Sequence, residues 1–280
     1  MPVTELFDET LDINATENYE LTVELSQYCL SFCILDGIRN KFIMLRSRSH
    51  DNQKKFTPEQ IREMITTDDF LMRKYRKIRV VISSSRHTII PAALYDPARK
   101  DEYFSFNHPH PESNIILSDR ISDPDSFLLF SFHRPYLDII REYFPGTVPY
   151  HYLRPLFNQI HFEKKSFMGN FIHANVDADH FTLIIFTGNV LKLCNAYPCR
   201  NVSDIMYHIL NAFRSLGIKQ EETIVLSGMA ERFDDLSSGL SEYVRNIAYA
   251  GYTGSSTFSY VFNDIPVQRY LSLFSASACE

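Results

Sequence analysis

A chain of 280 residues that is 45% hydrophobic, with only 9 Gly and 13 Pro, can bury one large core or two moderate ones, which excludes a disordered chain. Its formal net charge of −6 excludes nucleic acid as a main partner, because phosphate backbones are held by concentrated Lys and Arg. With 22 Phe and 16 Tyr but no Trp, it has aromatic side chains enough for well-filled cores and an apolar contact surface.

The first twenty residues, MPVTELFDETLDINATENYE, are acidic and lack the apolar run of a secretory signal. Apolar runs such as Phe181 to Phe186 fall far short of the ~20 residues of a membrane helix, so a cytoplasmic chain with no transmembrane segment is expected. Cys29, Cys33, Cys194, Cys199 and Cys279 match neither a disulfide framework nor a zinc knuckle and read as free thiols. Cys29 and Cys33 lie four apart on an expected strand, about 13 Å from each other, too far for a bridge. The sequons Asn14-Ala15-Thr16 and Asn201-Val202-Ser203 carry no meaning in a cytosolic chain.

From Leu21 the chain runs LTVELSQYCLSFCILDGIRNKFIMLRS, where Val23 and Leu25, then Leu30, Phe32 and Ile34, then Phe42 and Met44 alternate as strands do. Asp36-Gly37 is a hairpin signal, so three consecutive antiparallel strands are expected. In TPEQIREMI, Thr57 can cap a helix, Pro58 suits its first turn and Gln60 completes a capping box. Arg73, Lys74, Arg76, Lys77 and Arg79, balanced by Asp68 and Asp69, read as a solvated helix end. KIRVVISSS is a short apolar strand of the buried parallel kind.

Residues 96–125 concentrate Pro, Asn, Asp and Ser around the strand-like segment Asn114 to Leu117, which marks an inserted subdomain or long connection. FLLFSFHRPYLDIIREYFPGTVPYHYL then reads as strand, helix, strand, with a stripe of Tyr136, Ile139, Ile140 and Tyr143 and a stop at Pro145-Gly146. A right-handed crossover completing the first sheet is expected there. FIHANVDADHFTLIIFTGNVLKLCNAYPC repeats the three-strand pattern, turning at Thr187-Gly188-Asn189. Ser203 and Asp204 open a helix with Ile205, Ile209, Ala212, Phe213 and Leu216 on one stripe and Gly217 as its stop, and ETIVLSGM supplies a fourth, buried strand.

Two successive copies of strand-strand-strand-helix-strand-helix-strand resemble the actin-like ATPase superfamily, whose halves are ribonuclease-H-like. The chain is similar to an uncharacterised bacterial family of about this length and, in layout, to actin-like cytoplasmic proteins of pilus and secretion platforms. The resemblance implies an α/β fold with an internal duplication. Its first half would take residues 1–165, with the insertion at 96–125, and its second half residues 166–280. Each half would hold a mixed sheet, an antiparallel meander plus parallel strands, covered by helices.

In active members of that superfamily the first hairpin of each half wraps the nucleotide phosphates with backbone N–H groups, and glycines allow the close approach. In the first hairpin here, Glu24 takes the expected Asp position, Ser26 the Gly position, and Gln27 and Tyr28 follow. In the second, Asp177 matches the acid that positions a metal-bound water, while Asp179 replaces Gly with a carboxylate that would repel phosphate. The adenosine-side turn keeps Ser227 and Gly228 but has Met229 for the last Gly. The resemblance thus makes Glu24, Ser26, Gln27, Asp177, Asp179, Ser227 and Gly228 the nucleotide-binding candidates. Asp177 is the candidate catalytic residue, and Asp177 with Asp179 the candidate metal ligands.

Other constellations have plainer readings. His173 and His180 are ordinary surface or hydrogen-bonded residues, and His108-Pro109-His110-Pro111 is a loop with too few ligands for zinc. Ser83-Ser84-Ser85 and Gly251 to Ser256 could offer N–H groups to an anion but lack the spacing of a P-loop. The expectation is a non-catalytic protein-binding or scaffolding module with a degenerate nucleotide cleft and a protein partner. The alternative is an ATPase or sugar-kinase-like phosphotransferase using Asp177, for which ATP and Mg would be the cofactors.

Overall fold

The computed structural model describes residues 3–50, 54–109, 112–167, 169–231 and 234–279. His110 and Pro111 of the His-Pro tract lie outside the described residues. β1 (Val3–Phe7) lies within the acidic stretch that carries no strand signal; β2 (Tyr19–Leu25), β3 (Cys29–Asp36) and β4 (Lys41–Ser49) form the expected meander. β1 pairs antiparallel with β4. The turn after β3 is longer than the Asp-Gly signal implies. Asp36 Oδ1 accepts the N–H groups of Ile38 at 2.9 Å and Arg39 at 3.1 Å, and the positive φ falls on Asn40, at 52°, instead of Gly37.

α1 (Pro58–Thr66) opens with the expected capping box: Thr57 Oγ1 accepts the Gln60 N–H at 3.3 Å and Gln60 Oε1 accepts the Thr57 N–H at 2.8 Å. Thr57→Ala removes one of these acceptors and is expected to cost about 1 kcal/mol in urea unfolding. A loss within error of zero would mean that tertiary packing alone fixes this helix.

β5 (Lys77–Ile82) runs parallel to β2. The basic segment before it is not a solvated helix end. Asp68 is buried and binds Arg46 at 2.6 Å and Arg48 at 2.9 Å, while Arg79 lies inside β5, 6% exposed, and pairs with Glu20 at 2.7 Å. Arg76 joins the same Glu20 carboxylate. Carboxylates carried into a sheet interior need cationic partners, because an uncompensated buried charge costs several kcal/mol.

β6 (His87–Pro91), α2 (Lys100–Asn107), β7 (Asn114–Ile121) and β8 (Ser126–His133) build a separate three-stranded sheet in the order β6-β8-β7, with α2 against it. The loop-rich stretch 96–125 therefore contributes α2 and β7 to a unit that also includes β6 and β8. This corrects the expected crossover. β8 pairs on both sides within the small sheet, and α3 (Arg134–Tyr143) carries the chain to β9 (Tyr150–His151), which joins β5 in the first sheet. Alternating apolar residues mark Phe127 to Phe132 as a strand without naming its neighbours. The first sheet has the order β1-β4-β3-β2-β5-β9.

α4 (Leu153–Glu163) leads to β10 (Asn170–Val176), β11 (His180–Thr187) and β12 (Val190–Pro198), with Gly188 at φ 57° in the two-residue turn between the last two. α5 (Val202–Leu216) is capped by the sequon residue Asn201, whose Oδ1 accepts the Asp204 N–H at 3.0 Å, and ends at left-handed Gly217. Ile205, Ile209, Ala212 and Phe213 are buried on it, whereas Leu216, in its last turn, is exposed. β13 (Thr223–Gly228), α6 (Asp235–Leu240) and β14 (Asn246–Tyr249) follow. The second sheet has the order β12-β11-β10-β13-β14, a strand sequence that the first sheet shows as β4-β3-β2-β5-β9.

β15 (Thr257–Phe258) pairs with β4, and α7 (Leu271–Ser275) packs on β2 and β3, so the end of the described chain returns to the first sheet. The largest cluster of buried apolar side chains runs through both sheets and includes Leu156, Phe157 and Ile160 of α4; the Phe157 and Phe186 rings meet at 6.3 Å between centroids. No helix among the described residues is long and apolar enough to cross a membrane.

Candidate functional site

The carboxyl ends of the parallel strands β2, β5, β10 and β13 bring the β2–β3 and β10–β11 hairpin tips together with residues 83–86, at the strand-end position where open α/β sheets bind ligands. Two cavities lie there, one of about 340 Å³ and one of about 140 Å³. The larger is lined by Gln27, Lys55, Arg86, Asp179 and His180 among others, and the smaller by Glu24, Gly228, Met229 and Tyr270. Ser26, Tyr28, Ser83 and Asp177 line both and form the wall between them.

The first hairpin spends its own donors. Ser26 Oγ accepts the N–H groups of Tyr28 at 3.0 Å and Cys29 at 2.8 Å, and the Gln27 carbonyl accepts the Phe56 N–H at 2.7 Å. A hydroxyl at this position competes for the amides that a glycine would leave available. The Tyr28 hydroxyl is hydrogen-bonded to Asp179 of the other hairpin; burial and the Asp179 charge push it up to about 12. Lys55 lies over the Tyr28 ring, 5.6 Å from its centroid.

The second hairpin does the same. Asp177 and Asp179 sit in the turn between β10 and β11. Asp177 Oδ1 accepts the Ala178 N–H at 2.7 Å, and Oδ2 accepts the Ser83 hydroxyl at 2.6 Å. Asp179 is held by His180 Nδ1 at 2.8 Å. Burial would raise the Asp179 carboxyl, but the hydrogen bonds from His180 and Tyr28 and the Lys55 charge hold it below its ordinary value. Burial works against a charged His180, yet its bond to Asp179 and the charge of Asp177 lift it above the usual imidazole range. Among the described residues no group of three or more His, Cys, Asp or Glu is placed to hold a metal ion.

Glu24 faces the smaller cavity and accepts the Ser272 hydroxyl of α7 at 2.8 Å. Burial, against that hydrogen bond and with the nearby Asp177 charge, raises its carboxyl to about 7. Ser227 lies outside both linings: fully buried, its hydroxyl donates to Asn175 Oδ1 at 2.7 Å and meets His173 Nε2 at 2.7 Å. Of the two expected readings for His173 and His180, surface or hydrogen-bonded, the second holds: both are buried and hydrogen-bonded, and burial lowers His173 to about 3, which leaves it neutral. Gly228 has φ 73°, and a methyl there would run into the Val176 carbonyl oxygen and lie 3.0 Å from that residue's carbonyl carbon. Its backbone freedom serves the close approach of β13 to β10.

The structure thus gathers Glu24, Ser26, Gln27, Asp177, Asp179 and Gly228 at one groove and turns Ser227 away from it. Sequence reasoning missed Ser83 and Tyr28 as cross-groove partners, and Ser272 as the Glu24 donor 248 residues away. The loop from Gly251 to Ser256 is used internally: Thr253 N–H donates to Gln159 Oε1 at 3.0 Å and Ser255 C=O accepts Asn40 Nδ2 at 3.0 Å.

A family model described as protein of unknown function (DUF3822) matches residues 8–247. No curated protein matches the chain. A Bacteroides thetaiotaomicron protein with an actin-like ATPase fold and unknown function is 21% identical, with TM-score 0.81 over 97% of this chain and 100% of that one. A chain of the PilM-PilN type IV pilus biogenesis complex is 14% identical, with TM-score 0.53 over 92% of this chain and 96% of that one. The fold is therefore that of the actin-like ATPases, with mixed sheets covered by helices.

Proposed function

We propose that this chain, which belongs to the family of proteins of unknown function DUF3822, is a non-catalytic protein-binding or scaffolding module whose nucleotide cleft is degenerate. Two ribonuclease-H-like halves, 1–165 and 166–280, are part of the proposal, with the matching strand orders in its favour and the segment from Thr257 onward packed back on the first half. A cytoplasmic location completes it.

The observation that carries this reading is the use of the hairpin donors. The amides of Tyr28, Cys29 and Ala178 and the hydroxyls of Tyr28 and Ser83 all end on Ser26, Asp177 or Asp179. A phosphate chain entering the wall between the cavities would have to break these bonds and approach two carboxylates, so ATP and Mg do not fit the residues present. The pilus-complex relative, recorded with a protein partner, supports a protein-binding role.

Thermal unfolding with and without Mg-ATP tests this directly. A nucleotide present at 100 times its Kd would stabilise the fold by about 2.7 kcal/mol. The expected result is no shift at millimolar Mg-ATP. A rise in Tm that Asp177→Asn removes would overturn the proposal in favour of an ATPase or phosphotransferase.

A further inference from the structure

We propose that the groove between the three-stranded and five-stranded sheets binds an extended peptide segment of a partner protein, added as a strand to the free edge of β12. This rests on the protein-binding function proposed above and gives it a site. Among the described residues β12 pairs only with β11 and β6 only with β8, and the two free edges face each other across a cavity of about 810 Å³. Residues 189–197 line it without a break, opposite His87, Thr88 and Ile89. A cavity of this volume suits a ligand-sized segment.

In an antiparallel pair, successive residues point their main-chain groups alternately toward the neighbour and away from it. On β12 the alternation can be assigned. Cys199 N–H reaches the Asp179 carbonyl at 3.0 Å, and Pro198, with no N–H to give, stands opposite His180. Tyr197, Asn195 and Leu193 therefore bond to β11, and Ala196 and Cys194 turn their main-chain groups to the groove. On β6, Ser131 N–H bonds the Arg86 carbonyl at 3.2 Å, so His87 and Ile89 face the groove in the same way. The His87 carbonyl is taken by His108 Nε2 at 2.8 Å, while the His87 imidazole meets the Cys194 thiol, Nε2 to Sγ, at 3.7 Å. Both main-chain groups of Cys194 and of Ala196 remain for a partner, against only the His87 N–H and the two groups of Ile89 on β6, which places the added strand on β12.

Two edge-protecting features bracket this stretch: Pro198 at one end and, at the other, Lys192, the extra residue of a bulge opposite Ile185 and Phe186. Between them Leu193 to Tyr197 pair in unbroken register with β11. Main-chain donors and acceptors spaced along an edge match another extended main chain, not a helix or a nucleotide. Lys192 and Asp125 are the only Lys, Arg, Asp or Glu in the described lining, beside apolar Ile89, Leu191 and Leu193. The segment bound is accordingly uncharged, with apolar side chains at alternate positions.

The test selects peptides from a random displayed library on the full chain, then measures amide hydrogen exchange with a selected peptide bound. Uncharged, alternating peptides are expected, with slowed exchange at Cys194 and Ala196. Ala196→Pro, which removes a donor aimed away from β11, is expected to weaken binding about tenfold or more. Should that variant lose its fold, peptides N-methylated at alternate residues are expected to lose binding to the native chain. The site is overturned if no peptide is selected, if protection appears on another surface, or if neither change weakens binding. A dimer abolished by Ala196→Pro would instead assign the edge to a second copy. Each of these failures leaves the scaffold reading standing; that reading fails separately, by stabilisation with Mg-ATP.

Discussion

Glu24→Gln is expected to stabilise the protein above pH 7 by about 2 kcal/mol and to change little near pH 4. Glu24 holds a carboxyl raised from 4.5 to about 7, by burial first and by the Asp177 charge, while the Ser272 hydroxyl pulls the other way. Because the folded value exceeds the unfolded one, the native state keeps a proton between pH 4.5 and 7 that the unfolded chain has released. Stability from this group is therefore lost as pH rises through that window, and the loss levels off above it. At 1.36 kcal/mol per pH unit the full displacement would cost about 3 kcal/mol, and water in the adjoining cavity screens part of it.

Glutamine keeps an oxygen for Ser272 and has no proton to lose. Urea unfolding of both proteins from pH 4 to pH 8.5 measures the difference, which corresponds to a Tm gain of about 5 °C at the alkaline end. Asp119, which burial raises to about 7 despite the hydrogen bond from the His151 N–H, and Glu163, raised to about 7 by burial alone, contribute the same slope to both proteins and cancel. An advantage for the variant that does not grow with pH would show that Glu24 is ionised in the fold.

Gly228→Ala is expected to be the most damaging single substitution in the groove, at about 3 kcal/mol or more. Two costs combine. The backbone sits at φ 73°, and the new methyl meets the Val176 main chain, which is fixed by the β10–β13 ladder and by the Met229 N–H bonded to the Val176 carbonyl at 2.8 Å. Gly188→Ala is the matched control: its φ is 57°, nothing lies within 4 Å of the added methyl, and about 1 kcal/mol is expected. Equal losses for the two in urea unfolding would sink the steric explanation and return Gly228 to a ligand-binding role.

The candidate site was legible in position and mostly illegible in use. A hairpin tip after an alternating strand can be found from the pattern, so Ser26 and Asp177 were placed at the groove. Ser26 takes the amides of its own turn, two and three residues on, whereas Asp177's hold on the Ser83 hydroxyl depends on where the chain 94 residues away comes to rest. Ser227 shows the reverse case: a matching Ser-Gly pair whose hydroxyl serves His173 and Asn175 inside the sheet.

By itself the sequence determined the two meanders, the capping box at Thr57, the stop at Gly217 and the buried parallel strands β5 and β13, because alternation, caps and turns are set by a few consecutive residues. Tertiary structure alone decided that β8 joins β6 and β7, that β1 and β15 flank β4, that Arg79 meets Glu20 inside the sheet, and that Tyr28 reaches Asp179 across the groove. Those pairings join groups far apart in the chain. They are selected by which surfaces bury together and which buried charges find partners, and no short stretch of residues contains that information.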